Sequence, residues 1–61
     1  MDGLRLIYVT APDTAQALAI GRVLVADGLA ACINVLPNMT AIYRWQGAIE
    51  ESCEAVLIAK T

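Results

Sequence analysis

Alternation between apolar and polar positions divides the chain into four segments. Residues 4–10 are apolar on both faces after Arg5, which predicts a strand inside a sheet rather than at its edge. Residues 14–27 repeat apolar side chains at helical spacing, whereas residues 29–44 and 48–61 are typical of strands. The last strand ends in a run that is apolar on both faces, so we expect it to lie in the centre of the sheet. The predicted order is β-α-β-β, the first part of a ferredoxin-like α+β fold with the helix packed on one face of the sheet.

The predicted helix has its own start and stop signals. Asp13 is placed to accept a hydrogen bond from the first turn, and Gln16, three residues later, completes a capping-box pattern. Gly28 ends the helix because glycine adopts the left-handed C′ conformation at little cost. One face of the helical wheel is apolar, and the small Gly21 within it predicts a close approach to the sheet. The residues on that face are Ala17, Leu18, Ile20, Gly21, Leu24 and Val25.

The two later strands are predicted to form one long hairpin. Its turn is expected at Gln46 and Gly47, where glycine is free to take a positive φ. Pro37 then marks a bulge or an edge position, because proline has no N–H to donate to the sheet. A turn at this place sets Tyr43 opposite Glu50.

The hairpin is longer than a domain of this size needs. A strand of about 16 residues would extend about 50 Å at ~3.3 Å per residue. Its end carries Ile42, Tyr43 and Trp45, which would be an aggregation hazard if they were left uncovered. The 61-residue chain is 59% apolar, and a domain this small buries only roughly 60% of its unfolded surface. Partner subunits are the simplest cover for the surplus apolar surface, and a missing C-terminal portion is a second one. We predict that the hairpin packs against a second subunit, with Tyr43 and Trp45 as anchors at the interface.

Charge and cysteine content narrow the classes of function. The net charge is −2 and the four basic residues are scattered, which argues against nucleic-acid binding. The first apolar run, residues 6–9, is too short for a signal peptide or a membrane span. Cys32 and Cys53 have no C-x-x-C spacing and no histidine accompanies them, so we expect free thiols in a cytoplasmic protein.

Four motifs, in order and spacing, resemble the CutA family of divalent-cation tolerance proteins. They are Val9-Thr10-Ala11-Pro12-Asp13, Leu29-Ala30-Ala31-Cys32-Ile33-Asn34, Ile42-Tyr43-Arg44-Trp45-Gln46-Gly47, and Ile49-Glu50-Glu51 with Lys60-Thr61. The resemblance implies a homotrimer of ferredoxin-like subunits, related in architecture to PII signalling proteins, in which the long hairpin contacts a neighbour. It also implies that residues 1–61 are a single domain that lacks its C-terminal helix and strand.

The resemblance further implies a non-enzymatic role in tolerance of divalent cations, with no required cofactor. Some members of the family bind copper, and Cys32 is the family-typical thiol here, whereas Val9 stands where some members have a metal-binding cysteine. Copper or another divalent cation is the candidate ion. Cys32 could be a soft ligand for Cu(I), which favours thiolates, but free cysteine often behaves as a small apolar residue, so we expect Cys32 in the core. Glu54 and Lys60 are expected to line the cleft between subunits.

Other interpretations stay open. Glu50, Glu51 and Glu54 could supply oxygen ligands to a divalent ion, but a strand puts Glu51 on the opposite face from the other two. We prefer a solvated hairpin with Arg44 as a nearby counter-charge.

A PII-like module that binds a small ligand at the subunit cleft is the second functional hypothesis, although PII proteins have a long loop where this chain has a tight turn. An acylphosphatase-like enzyme is disfavoured, because the segment after the first strand offers Asp13 instead of an anion-binding loop. The sequence does not identify the metal, nor any protein partner through which the chain would act.

Overall fold

A computed structural model describes residues 3–61 as a three-stranded antiparallel sheet with a helix packed on one face. The elements are β1 (Leu6–Ala11), α1 (Thr14–Ala26), β2 (Cys32–Trp45) and β3 (Ala48–Lys60). The strand order is β1-β3-β2, so β3 pairs with both other strands. This confirms the central position expected for the last strand. The β-α-β-β arrangement is ferredoxin-like.

β1 lies at an edge of the described sheet, contrary to the expectation of an internal strand. It pairs with β3 from Leu6 opposite Lys60 to Ala11 opposite Ala55. The expectation is wrong for residues 3–61 because the crossover through α1 places β2 on the far side of β3. Apolar side chains therefore remain exposed on both faces of β1.

The start and end of α1 follow from local hydrogen bonds. Asp13 is the N-cap, and its carboxylate accepts a hydrogen bond from the backbone N–H of Gln16 at 2.8 Å. The Gln16 side chain donates to the same carboxylate at 3.4 Å, in place of the reciprocal backbone bond of a capping box. At the other end Gly28 has a φ of 74°, and the amide of Leu29 donates to the carbonyl of Leu24 at 2.9 Å. This is a Schellman C-cap, as the glycine predicted.

The core lies between α1 and the half of the sheet where β1 is present. Gly21 brings the helix against the sheet, because a Cβ at this position would lie 2.9 Å from Cγ2 of Ile33. The helix face that packs is narrower than predicted: Leu18, Ile20 and Val25 are exposed. The small residues Ala17 and Gly21 lie on the buried side of the helix and let it pack close to the sheet. The larger residues beside them remain exposed to solvent. The core consists of Ala11, Ala17, Ala55 and Leu57, with Leu24, Ile33 and Val35 packed against it.

The hairpin turns where the sequence predicted. Gln46 and Gly47 have φ values of 49° and 80°, which is the type I′ geometry that matches the twist of paired strands. The register sets Tyr43 opposite Glu50, as expected.

A single irregularity divides the β2–β3 hairpin. The register shifts between Leu36 and Met39, and Asn38 has a φ of 58°. This confirms the bulge that Pro37 predicted. Between the bulge and Lys60, the sheet has three strands and a helix on one face. Between the bulge and the turn at Gln46-Gly47, only β2 and β3 continue.

Candidate functional site

The arm, defined as residues 39–54, extends beyond the core. β3 stops pairing with β1 at Ala55, and the core cluster includes no residue of the arm. Every side chain of the arm is exposed or half-buried. Because an isolated two-stranded ribbon is at best marginally stable in water, the arm needs a covering surface.

Side chains of the hairpin alternate between two faces, which the register defines. Residues directly opposite each other in antiparallel strands point to the same side. Leu57 and its partner Val35 belong to the helix-side face, because both pack with the core under α1. Ile58 and its partner Asn34 belong to the other side, called the open face.

All five residues singled out from the sequence lie on the open face: Cys32, Tyr43, Trp45, Glu54 and Lys60. They do not form one cluster. Cys32 lies opposite Lys60 at one end of the sheet, Glu54 lies in the middle, and the aromatic residues lie near the turn. The distance from Lys60 to the turn is about 40 Å at ~3.3 Å per residue. The open face is therefore an extended surface with a thiol end, an acidic middle and an aromatic end.

The aromatic end is exposed to solvent in the part of the chain that the structure describes. Tyr43 is 44% exposed and Trp45 is 60% exposed. Trp45 lies opposite Ala48, whose methyl group covers little of the indole. The expectation that a two-stranded ribbon cannot bury the tryptophan is confirmed.

The acidic middle borders a groove at the point where β1 ends. The groove has a volume of about 460 Å³. The Ser52 hydroxyl donates a hydrogen bond of 2.7 Å to Oε2 of Glu54, which orients the half-buried carboxylate. Glu54 is the charged residue of the lining, so the groove suits a hydrogen-bond donor or a cationic group. The lining consists of Thr10, Ala11, Pro12, Tyr43, Ser52, Cys53 and Glu54.

The sequence interpretation missed Ser52. The signal was its position two residues before Glu54, which on a strand places both side chains on one face.

The thiol end differs from the expectation. Cys32 is exposed, and its thiol donates to Oδ1 of Asn34 at 3.7 Å. The prediction of a core cysteine is wrong because α1 covers the other face of the sheet at this position. Within residues 3–61 no group of three or more histidine, cysteine, aspartate or glutamate side chains is arranged to hold a metal ion. Cys32 supplies one soft ligand.

The second cysteine lies on the other side of the sheet. Cys53 is opposite Thr40 on the helix-side face, together with Glu51. Both cysteines are free. Along β3 the position of Cys53 is about 23 Å from Lys60, the partner of Cys32, which is far beyond the reach of a disulfide.

The carboxylates divide between the faces as predicted. Glu50 and Glu54 lie on the open face, and Glu51 lies on the helix-side face. Arg44 is paired with Ile49 and lies on the helix-side face. Of the three glutamates, only Glu51 lies on that face.

Comparison with known proteins identifies the family. The profile described as CutA1 divalent ion tolerance protein matches residues 5–61. The chain belongs to the CutA1 family. The Protein CutA homolog of Xenopus laevis is 48% identical over 58 residues, which are 95% of this chain and 38% of that protein. The divalent-cation tolerance protein CutA of Thermus thermophilus is 43% identical over 56 residues, which are 92% of this chain and 54% of that protein.

Solved CutA structures have the same fold. The crystal structure of CutA from Xylella fastidiosa matches with a TM-score of 0.90 at 48% sequence identity, over 95% of this chain and 56% of that chain. The present chain thus spans about half the length, or less, of these CutA1 relatives. In the part of the chain that the structure describes, no helix is long and apolar enough to cross a membrane.

Proposed function

We propose that this protein is a non-enzymatic subunit of a homotrimer that acts in tolerance of divalent cations, with copper as the first candidate. The observation that carries the proposal is the arm without a covering surface, in a chain whose family is described by divalent ion tolerance. The arm is the longest feature of the molecule and contributes nothing to its own core. We therefore infer that the arm acts through contact with another subunit.

Assembly is supported by the chemistry of the aromatic end. Tyrosine and tryptophan are enriched at the centres of protein interfaces, where they contribute more than other residues. Tyr43 and Trp45 lie on one face of a ribbon whose strands are joined by a type I′ turn. A ribbon of this kind can lie across a neighbouring subunit, and a closed ring of such contacts gives a cyclic oligomer. The number three comes from the resemblance to the family.

A direct role in metal binding is supported by Cys32. Its thiol is exposed and free, and thiolates are the preferred ligands of Cu(I). Lys60 lies directly opposite Cys32 on the open face. Two free cysteines also support a reducing compartment, so we place the protein in the cytoplasm.

Growth on elevated copper tests the proposal. A host deleted for its own family member receives the full-length protein, or the same protein with Tyr43→Ala and Trp45→Ala. We expect the parent to restore growth and the double variant, which lacks the aromatic end, to restore little. Absence of rescue by a parent protein that accumulates in folded form would contradict the proposal.

A second candidate is a module that binds a small ligand at the subunit cleft. The groove beside Glu54, with the carboxylate oriented by Ser52, favours it. A cationic or donor-rich small molecule is the expected ligand class. Glu54→Gln should remove its binding and leave assembly intact, whereas loss of copper tolerance alone would favour the first candidate.

A further inference from the structure

The groove beside Glu54 has a wall whose hydrogen-bonding capacity is already partly used. The Ser52 hydroxyl donates its proton to Oε2 of Glu54 at 2.7 Å. A hydroxyl has one proton to donate, and an ionised carboxylate has none. Toward a molecule in the groove, Ser52 and Glu54 therefore present acceptor atoms only. A ligand that contacts this wall must supply N–H or O–H donors.

The charge at this place has one sign. In residues 3–61 no lysine or arginine lines the groove, nor an adjoining groove of about 220 Å³ that shares Glu54 and adds Asp13. Arg44 lies on the helix-side face, and its partner Ile49 is five residues along β3 from Glu54, or about 16 Å. Lys60 lies six residues away in the other direction, or about 20 Å. Because Glu54 is half-buried, its carboxylate favours a cationic ligand.

The bond from Ser52 also selects among cationic groups. A guanidinium binds a carboxylate best through two parallel N–H···O bonds, one to each oxygen. At Glu54 one of these oxygens already accepts from Ser52, so pairing through both oxygens meets a competing donor. An ammonium group instead donates in three directions from one nitrogen. It can therefore donate to the other oxygen of Glu54 and to the oxygen of Ser52 together.

The rest of the groove suits an apolar body behind the charged group. Ala11, Pro12 and Tyr43 belong to its lining. Tyr43 is paired with Glu50, four residues along β3 from Glu54, so the lining extends about 13 Å along the strand. The volume of about 460 Å³ lies within the range of small-molecule sites. The groove thus has the dimensions for a small organic molecule.

We propose that this groove binds a primary amine. Its ammonium group donates to Glu54 and Ser52, and its apolar body lies along the lining toward Tyr43. This ligand class rests on the second candidate function, the small-ligand module, and is independent of metal binding.

Three cations with the same phenylethyl body test the ligand class on the full-length protein. 2-Phenylethylammonium has three donors on one nitrogen, 2-phenylethylguanidinium has a planar fork of donors, and trimethyl(2-phenylethyl)ammonium has the charge without an N–H. Titrations followed by the NMR shifts of the Ser52 and Glu54 amides give the dissociation constants. We expect the primary ammonium to bind about tenfold more tightly than the trimethyl compound, and several-fold more tightly than the guanidinium.

Two substitutions and a matched control locate the contact. Glu54→Gln should weaken binding of the primary ammonium about tenfold. Ser52→Ala removes the competing donor, so it should weaken ammonium binding and reverse the preference in favour of the guanidinium. Glu50→Gln removes the same charge from the same face outside the groove and should leave both affinities unchanged. Circular dichroism checks that each variant folds.

Equal affinities for the primary and trimethyl compounds, or a preference for the guanidinium in the parent, would overturn the proposal. Equal losses in Glu54→Gln and Glu50→Gln, or a parent-like preference in Ser52→Ala, would do the same. If phenylethyl alcohol or 3-phenylpropionate binds in the groove and the amine does not, the ligand class is wrong while the small-ligand module stands. If no compound of the series binds, the module is wrong as well, and growth on copper still decides the metal-tolerance proposal.

Discussion

Gly21 lies against Ile33 so closely that the addition of one methyl group brings its carbon to 2.9 Å from Cγ2 of the isoleucine. This distance is shorter than any ordinary carbon contact, and the branched side chain of Ile33 is stiff about χ1. The helix is therefore held at its distance from β2 by the lack of a side chain at position 21.

Gly21→Ala should destabilise the protein even though alanine is the better helix former. The gain in helix propensity is about 1 kcal/mol, whereas overpacking a core costs roughly 1–3 kcal/mol. We expect a net loss of about 1 kcal/mol in the free energy of unfolding, measured by urea denaturation. Ala15→Gly, at an exposed helix position, calibrates the propensity effect. The steric account fails if Gly21→Ala raises stability by as much as Ala15→Gly lowers it.

The positive φ values at the turn predict that substitutions at its two residues change stability in opposite directions. Gln46 has a positive φ of 49°, and asparagine is the non-glycine residue that tolerates this region best. Gln46→Asn should stabilise the protein by several tenths of a kcal/mol, whereas Gly47→Ala should cost about 1–2 kcal/mol. Thermal unfolding at fixed protein concentration measures both. Equal effects of the two substitutions would show that the turn does not depend on positive φ.

The N-cap is a third local test. Asp13→Ala removes the acceptor of the 2.8 Å bond from the Gln16 amide and should cost about 1 kcal/mol. Asp13→Asn keeps an acceptor oxygen and should recover most of that loss. A similar loss in both variants would mean that the charge near the helix N-terminus, rather than the hydrogen bond, stabilises this end.

Much of the fold could be predicted from sequence because local rules decide it. The turn at Gln46-Gly47, the bulge at Pro37 and the Gly28 cap each depend on the backbone freedom of one or two residues. The error at Cys32 has a different cause. Alternation along a strand separates two faces but does not say which one the helix covers, and that choice is made by the crossover connection. The helical wheel predicted too wide a packed face for α1. The width of that face depends on how closely Gly21 lets the helix approach the sheet.

The metal hypothesis makes a specific prediction for the two thiols. Cys32 lies on the open face opposite Lys60, whereas Cys53 lies on the helix-side face. In a Cu(I) titration against a competing chelator, Cys32→Ser should lower the affinity of the full-length protein at least tenfold. Cys53→Ser is the matched control, because it removes one exposed thiol and should leave the affinity unchanged. Unchanged affinity in Cys32→Ser would remove this residue from the metal site.

The central claim is that the arm exists to build an assembly. Sedimentation equilibrium of the full-length protein at micromolar concentration tests it most directly, with Trp45→Ala and Tyr43→Ala as variants. We predict three times the subunit mass for the parent and partial dissociation for each variant, because each loses an aromatic anchor. A parent protein that sediments as a folded monomer would contradict the account.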